Sequence, residues 1–244
     1  VIAIENVRLF DEVQARTREL SESLEQQTAT AEILTVISNS LSDTQPVFDA
    51  IVASGLKLFP GAAVIILLAD GDTVNAAAVA APDPAGIEAI RRRLPIPLTR
   101  EYITSTAILD RRIVDVPDVE NPPPELAAGA RNFLATGYRA NTTMPMVRGD
   151  VAIGALTVAR RAPGPLSAKQ RAVLKTFADQ AVIAIENTRL LNELRESLQQ
   201  QTATSAVLGV ISRSPGELEP VFQAMLENAT RICEAKFGNL LLYD

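Results

Sequence analysis

The first six residues of this chain return unchanged 181 residues later: Val1-Ile2-Ala3-Ile4-Glu5-Asn6 is identical to Val182 through Asn187. A second word, Gln26-Gln27-Thr28-Ala29-Thr30, is identical to Gln200 through Thr204, at an offset of 174 (26 to 200). Self-similarity at a long period is the mark of a tandem array, so the chain reads as a window cut from one. The two offsets differ by seven residues, which is one heptad. Removing a heptad shortens a helix by roughly 10 Å yet leaves its apolar seam facing the same way, whereas a loop has no reason to change by sevens.

The seam itself can be followed. Positions at alternating three and four spacing carry Phe10, Val13, Thr17, Leu20, Leu24, Gln27, Ala31, Leu34, Ser38 and Leu41. In the second copy they carry Leu191, Leu194, Leu198, Gln201, Ser205, Leu208 and Ser212. Both linkers are therefore expected to be coiled-coil helices that need a partner. A dimer seam is predicted through Leu20, Leu24, Gln27, Leu194, Leu198 and Gln201. The competing reading, a helix packed on its own domain, suits the flanks but not the Glu- and Arg-rich middle.

Composition narrows the function. A hydrophobic share of 47% is ample for a core, and a net charge of −6 argues against nucleic acid as a main partner. The longest apolar run, Ala62 to Ala69, is too short to span a bilayer. The single cysteine excludes an internal disulfide framework. The chain has no histidine, which removes the commonest general base, metal ligand and haem ligand.

In chain order, the absence of Gly and Pro from Val1 to Gln45 predicts one long helix, and a second follows Pro46 until Pro60-Gly61 stops it. Strands are expected at 62–69 and 74–81, joined by the turn Asp70-Gly71-Asp72. A short helix at 85–93 bears Arg91-Arg92-Arg93, read as a solvated face and not as an anion site. A brief edge strand at 94–98, a helix at 101–109, a strand at 113–116 and a helix at 127–134 come next. Two long strands, 139–147 and 151–160, follow. Ser167 with Gln170 has capping-box spacing and starts the final helix, which runs to about Ser214. From Leu198 the chain repeats residues 24 to 70, predicting a first helix and one strand of a further unit. Cys233 falls at the counterpart of Phe59 and reads as a core thiol.

Several words now resemble one family. Gly137-Tyr138-Arg139, Met144-Pro145-Met146, Ile153-Gly154-Ala155-Leu156 and Phe177-Ala178-Asp179-Gln180 through Ile185-Glu186-Asn187 resemble GAF domains. Asp115-Val116-Pro117-Asp118-Val119 is similar to the family's strand-to-loop segment. The resemblance implies an α+β fold: a central antiparallel sheet with the first and last helices on one face, a small-ligand pocket on the other, and long coiled-coil helices at both ends. It divides the chain into 1–30, the exit helix of a preceding unit with its linker coiled coil; 31–190, a complete domain; 191–204, a linker coiled coil; and 205–244, the start of a following unit. It also implies a place in a multidomain bacterial sensor, commonly a cytoplasmic histidine kinase of a two-component system.

The complete domain has no cysteine, which speaks against covalent bilin attachment and against thiol-dependent methionine sulfoxide reduction. A non-enzymatic role is expected, with no metal, no cofactor that the sequence identifies, and no clear cyclic-nucleotide motif. Candidate ligand contacts are Thr104 and Ser105 on the mid-domain helix, Asp118 in the following loop, and Arg139, Asn141 and Thr143 on the fifth strand. For Arg139 a structural pair with Asp118 is an equal alternative. Two functions stay open: a homodimeric sensor that passes ligand occupancy to a downstream output domain, or a ligand-free dimerising spacer.

Overall fold

A computed structural model describes residues 2–39, 43–213, 219–232 and 235–241. Val1, Leu41, Ser214 and Cys233 lie outside the described residues, as do the side chains of Ser38 and Ser212. The chain divides into two compact units, Val1–Thr188 and Arg189–Asp244.

The first unit opens with helix α1 (Ile2–Asn39) and, with Pro46 in the first turn where a missing N–H costs nothing, helix α2 (Gln45–Leu58). Strands β1 (Ala63–Asp70) and β2 (Thr73–Ala80) form a hairpin. Helix α3 (Pro84–Arg91) is capped by Asp83, whose carboxylate accepts from Gly86 N at 2.7 Å. The edge strand β3 is only Ile96–Pro97, as its proline requires. Helix α4 (Ile103–Asp110), strand β4 (Val114–Val116), a 3-10 turn (Pro124–Leu126) and helix α5 (Ala127–Leu134) lead to β5 (Ala140–Arg148) and β6 (Val151–Arg160). Helix α6 (Ala168–Arg213) begins at the predicted capping box: Ser167 Oγ accepts from Gln170 N at 3.1 Å, and Gln170 Oε1 accepts from Ser167 N at 2.9 Å.

All six strands join one antiparallel sheet in the order β3-β2-β1-β6-β5-β4. The sheet is buried on both faces, so β1 reads as an apolar run and its alternation decides which layer each residue enters. Val64 and Ile66 enter the layer formed with α1, α2 and α6, which contains Ile33, Phe48, Ile51, Leu156, Val158, Leu174, Phe177 and Ala181. Ile65 and Leu67 enter the opposite layer with Ile90, Ile96, Ile108 and Tyr138, and a third cluster joins α4 and α5 through Ile103, Ala107, Leu126 and Ala130. Tyr138 is wholly buried, and the Arg161 guanidinium lies 5.6 Å from its ring centroid while pairing with Asp83 at 2.7 Å.

Helix α1 has two faces. Ala29 and Ile33 are buried in the domain, whereas the seam positions Leu20 and Leu24 are 71% and 64% exposed. Leu194 and Leu198 on α6 are 55% and 52% exposed. Gln27 and Gln201 are exposed too.

Three expectations need correction. Helix α3 ends at Arg91, not Arg93, since Pro95 disfavours helical backbone at the residue before it. Arg139 precedes β5 and does not belong to it. In the second unit, helix α7 (Glu219–Ile232) forms, but residues 235–241 make no strand; Phe237 and Leu241 are 80% and 92% exposed, since a lone strand has no ladder partner.

Candidate functional site

On the sheet face opposite α2 and α6 lies an accessible cavity of about 70 Å³. Its floor comes from Ile65 and Leu67 of β1, Thr157 of β6 and Asn141 of β5. Its walls come from Ile90, Arg93, Leu94 and Ile96 on one side, and from Tyr102, Ile103, Thr104, Gly129, Asn132, Phe133 and Thr136 on the other. Gly129 lets the two wall helices meet: its N–H donates to Glu101 O at 2.9 Å, and a Cβ there would lie 2.5 Å from that oxygen.

The six predicted residues separate into two places and a support. Thr104 and Asn141 line the cavity. Thr143 stands behind Asn141, its hydroxyl donating to Asn141 Oδ1 at 2.8 Å and lying 2.8 Å from Thr157 Oγ1. Because the Thr143 proton is committed to Asn141, Thr157 is the donor between the two hydroxyls. This relay fixes the amide so that its oxygen faces Thr143 and its NH2 is left to donate elsewhere. Ser105, wholly buried, instead donates to Pro97 O at 2.7 Å and ties α4 to the edge strand.

Asp118 and Arg139 lie apart from the cavity and bind each other at 3.5 Å, with Glu120 as a second partner of the guanidinium. The Asp118 carboxyl is held below its ordinary value chiefly by the Asn121 side-chain amide at 2.9 Å and the Glu120 N–H at 3.1 Å, with Arg139 adding to both. A neighbouring cluster joins Asp115, Thr142 and Arg160. Thr142 Oγ1 donates to Asp115 at 2.7 Å and accepts from Arg160 at 3.2 Å. Burial lowers the Arg160 pKa and Asp115 opposes it.

Sequence reasoning missed Arg93, Asn132 and Thr136. Arg91 and Arg92 are exposed, as a solvated triplet should be, but Arg93 is half-buried because it follows the end of α3. The signal was Pro95, which ends the helix before the triplet does.

The architecture and the matched family agree. The GAF domain family model matches residues 43–185, more than half of the chain. The chain belongs to the GAF domain family. Solved structures place this GAF domain beside a methyl-accepting chemotaxis protein fragment (TM-score 0.53, 23% identity, covering 67% of this chain and 98% of that one). The GAF domain of an Acinetobacter phosphoenolpyruvate-protein phosphotransferase is similar to it too (TM-score 0.54, 16% identity, 69% and 97% covered). So is free methionine-R-sulfoxide reductase from Neisseria meningitidis in complex with its substrate (TM-score 0.55, 18% identity, 68% and 90% covered). No curated protein matches the chain. GAF domains are small-molecule-sensing modules found in signalling proteins. Among the described residues no helix is long and apolar enough to cross a membrane.

Proposed function

We propose that this GAF domain is the small-molecule-sensing and dimerising module of a cytoplasmic bacterial signal-transduction protein, such as a sensor histidine kinase. In this reading its flanks, 1–30 and 205–244, belong to neighbouring repeats, and 191–204 is a linker coiled coil leading toward an output domain. The observation that carries the reading is the two-sidedness of β5 and β6. Asn141 and Thr157 form the cavity floor, while Met146, Leu156 and Val158 on the same strands pack in the layer of Phe177 and Ala181 of α6. A shift of either strand on ligand binding is felt by the exit helix through close-packed contacts, which transmit displacement instead of absorbing it.

The exposed leucines of α1 and α6 supply the reason to dimerise, since an unpaired apolar stripe of this length is costly in water. A non-enzymatic role fits the absence of cysteine from residues 31–190, although the similar solved structures include free methionine-R-sulfoxide reductase. Polar groups converging on the cavity favour a sensor over a ligand-free spacer. Native mass spectrometry of the protein purified from its own host tests the reading: one retained small molecule per chain, in a dimer, is expected. Bare chain under conditions that preserve the dimer would favour the spacer, and monomer at tens of micromolar would remove the dimer.

A further inference from the structure

We infer that the cavity recognises a short-chain aliphatic monocarboxylate, gripped by Arg93 and the Asn141 amide. The inference rests on the cavity being the sensing site and names what it senses.

The charge balance of the lining comes first. Arg93 is its one charged residue, and no Asp or Glu is among the lining residues. The Arg93 guanidinium has no hydrogen bond or ion pair among the described residues, whereas Arg92 next to it pairs with Glu88 at 2.9 Å. A half-buried guanidinium is permanently charged and brings five donors, none of which meets an acceptor at bonding distance among the described residues. Such a cation is stabilised by an anion that enters from outside.

A second observation points the same way. The Thr157-to-Thr143-to-Asn141 relay engages the amide oxygen and leaves the Asn141 NH2, on a residue 2% exposed, with no bond among the described residues. Thr104 Oγ1 and the Asn132 amide are likewise uncommitted among the described residues. The site therefore offers donors from opposite walls and wants acceptors. A carboxylate is acceptor-only and planar, matching the fork of Arg93.

Size and polarity fix the rest of the ligand. The remaining lining is Ile, Leu, Phe and Tyr, with Gly129 and with Thr136 whose hydroxyl donates to Phe133 O at 2.6 Å, which suits an alkyl body and disfavours a second charge. A volume of about 70 Å³ is roughly half of the ~150 Å³ cavity that holds benzene in an engineered protein, so the enclosed part takes on the order of three non-hydrogen atoms, an alkyl body whose carboxylate sits at the half-buried Arg93. The three-carbon alkyl bodies of butyrate and isobutyrate are of this size.

The test is isothermal titration calorimetry on the intact chain, first unfolded, dialysed and refolded to empty the cavity. The probes are butyrate, isobutyrate, butyramide and butylamine. Butyrate or isobutyrate is expected to bind at least tenfold more tightly than butyramide, with butylamine not binding. Arg93→Gln should lose at least tenfold in carboxylate affinity, and Arg93→Lys should recover part of it. Neither substitution should lower the melting temperature of the empty protein, because the Arg93 side chain makes no hydrogen bond or ion pair among the described residues. Equal binding of butyrate and butyramide, or carboxylate binding untouched by Arg93→Gln, overturns the charge inference and leaves the cavity a binding site. No binding by any probe, with native mass spectrometry also finding an empty cavity, overturns both.

Discussion

Arg148 Nη1 lies 3.0 Å from Glu186 Oε1, joining the end of β5 to the exit helix at the glutamate of the repeated Ile-Glu-Asn word. The side chains are 43% and 23% exposed, so water screens the pair only in part. It clamps the helix to the same strand that carries Asn141, roughly 23 Å away along the chain at about 3.3 Å per strand residue.

A double-mutant cycle with Arg148→Ala and Glu186→Ala, followed by urea denaturation, should give a coupling of about 0.5–1 kcal/mol. Strictly additive effects would mean the pair is solvated and does not clamp the helix.

Two glycines are required by close backbone approach. A Cβ on Gly154 would lie 2.2 Å from Leu67 O, and one on Gly129 would lie 2.7 Å from Tyr102 Cα. Gly154→Ala and Gly129→Ala should each destabilise by about 2 kcal/mol or more, because backbone must move. Gly209, with nothing within 4 Å, gives the control: Gly209→Ala should be neutral or stabilising by up to about 1 kcal/mol. Melting temperatures of the three variants check the order.

The Asp118 turn makes a pH prediction. Its carboxyl titrates lower folded than unfolded, so its contribution is complete above the unfolded pKa and disappears as pH falls through the folded one. Asp118→Ala should therefore destabilise at neutral pH, and the gap from the parent should close below about pH 4. Denaturation across pH 2 to 7, on the order of one point per pH unit, measures it. A gap that is constant with pH would assign the effect to packing.

Much of this fold was legible because its determinants are local. Pro60-Gly61, the Asp70-Gly71-Asp72 turn and the Ser167/Gln170 box each fix an element boundary within a few residues. The sheet order was not readable that way, since β1 pairs with β6 across some ninety residues of chain. Of the candidates named on the mid-domain helix and the fifth strand, Thr104 and Asn141 line the cavity. Arg93 was hidden by its neighbours, because a charge triplet looks like one surface until the helix end separates its members. Asp118 and Arg139 were correctly suspected of pairing, and their partner Glu120 was not, being one more acid in a loop.

In the proposed dimer, Gln201 would set a polar residue in a leucine-rich seam, fixing register at a cost in stability. Gln201→Leu should tighten the dimer, seen in sedimentation equilibrium as a lower dissociation constant. Leu194→Glu with Leu198→Glu should abolish it. An unchanged constant in both variants would place the dimer contact elsewhere.

The central claim, that cavity occupancy is conveyed to a paired exit helix, is tested most directly by disulfide cross-linking through Leu198→Cys. Cys233→Ser, removing the only native cysteine, supplies the background. The account predicts a cross-linked dimer whose rate of formation changes several-fold when the emptied cavity is saturated with the carboxylate that binds it. A cross-link that never forms, or one that forms at the same rate with the cavity empty and filled, would contradict it.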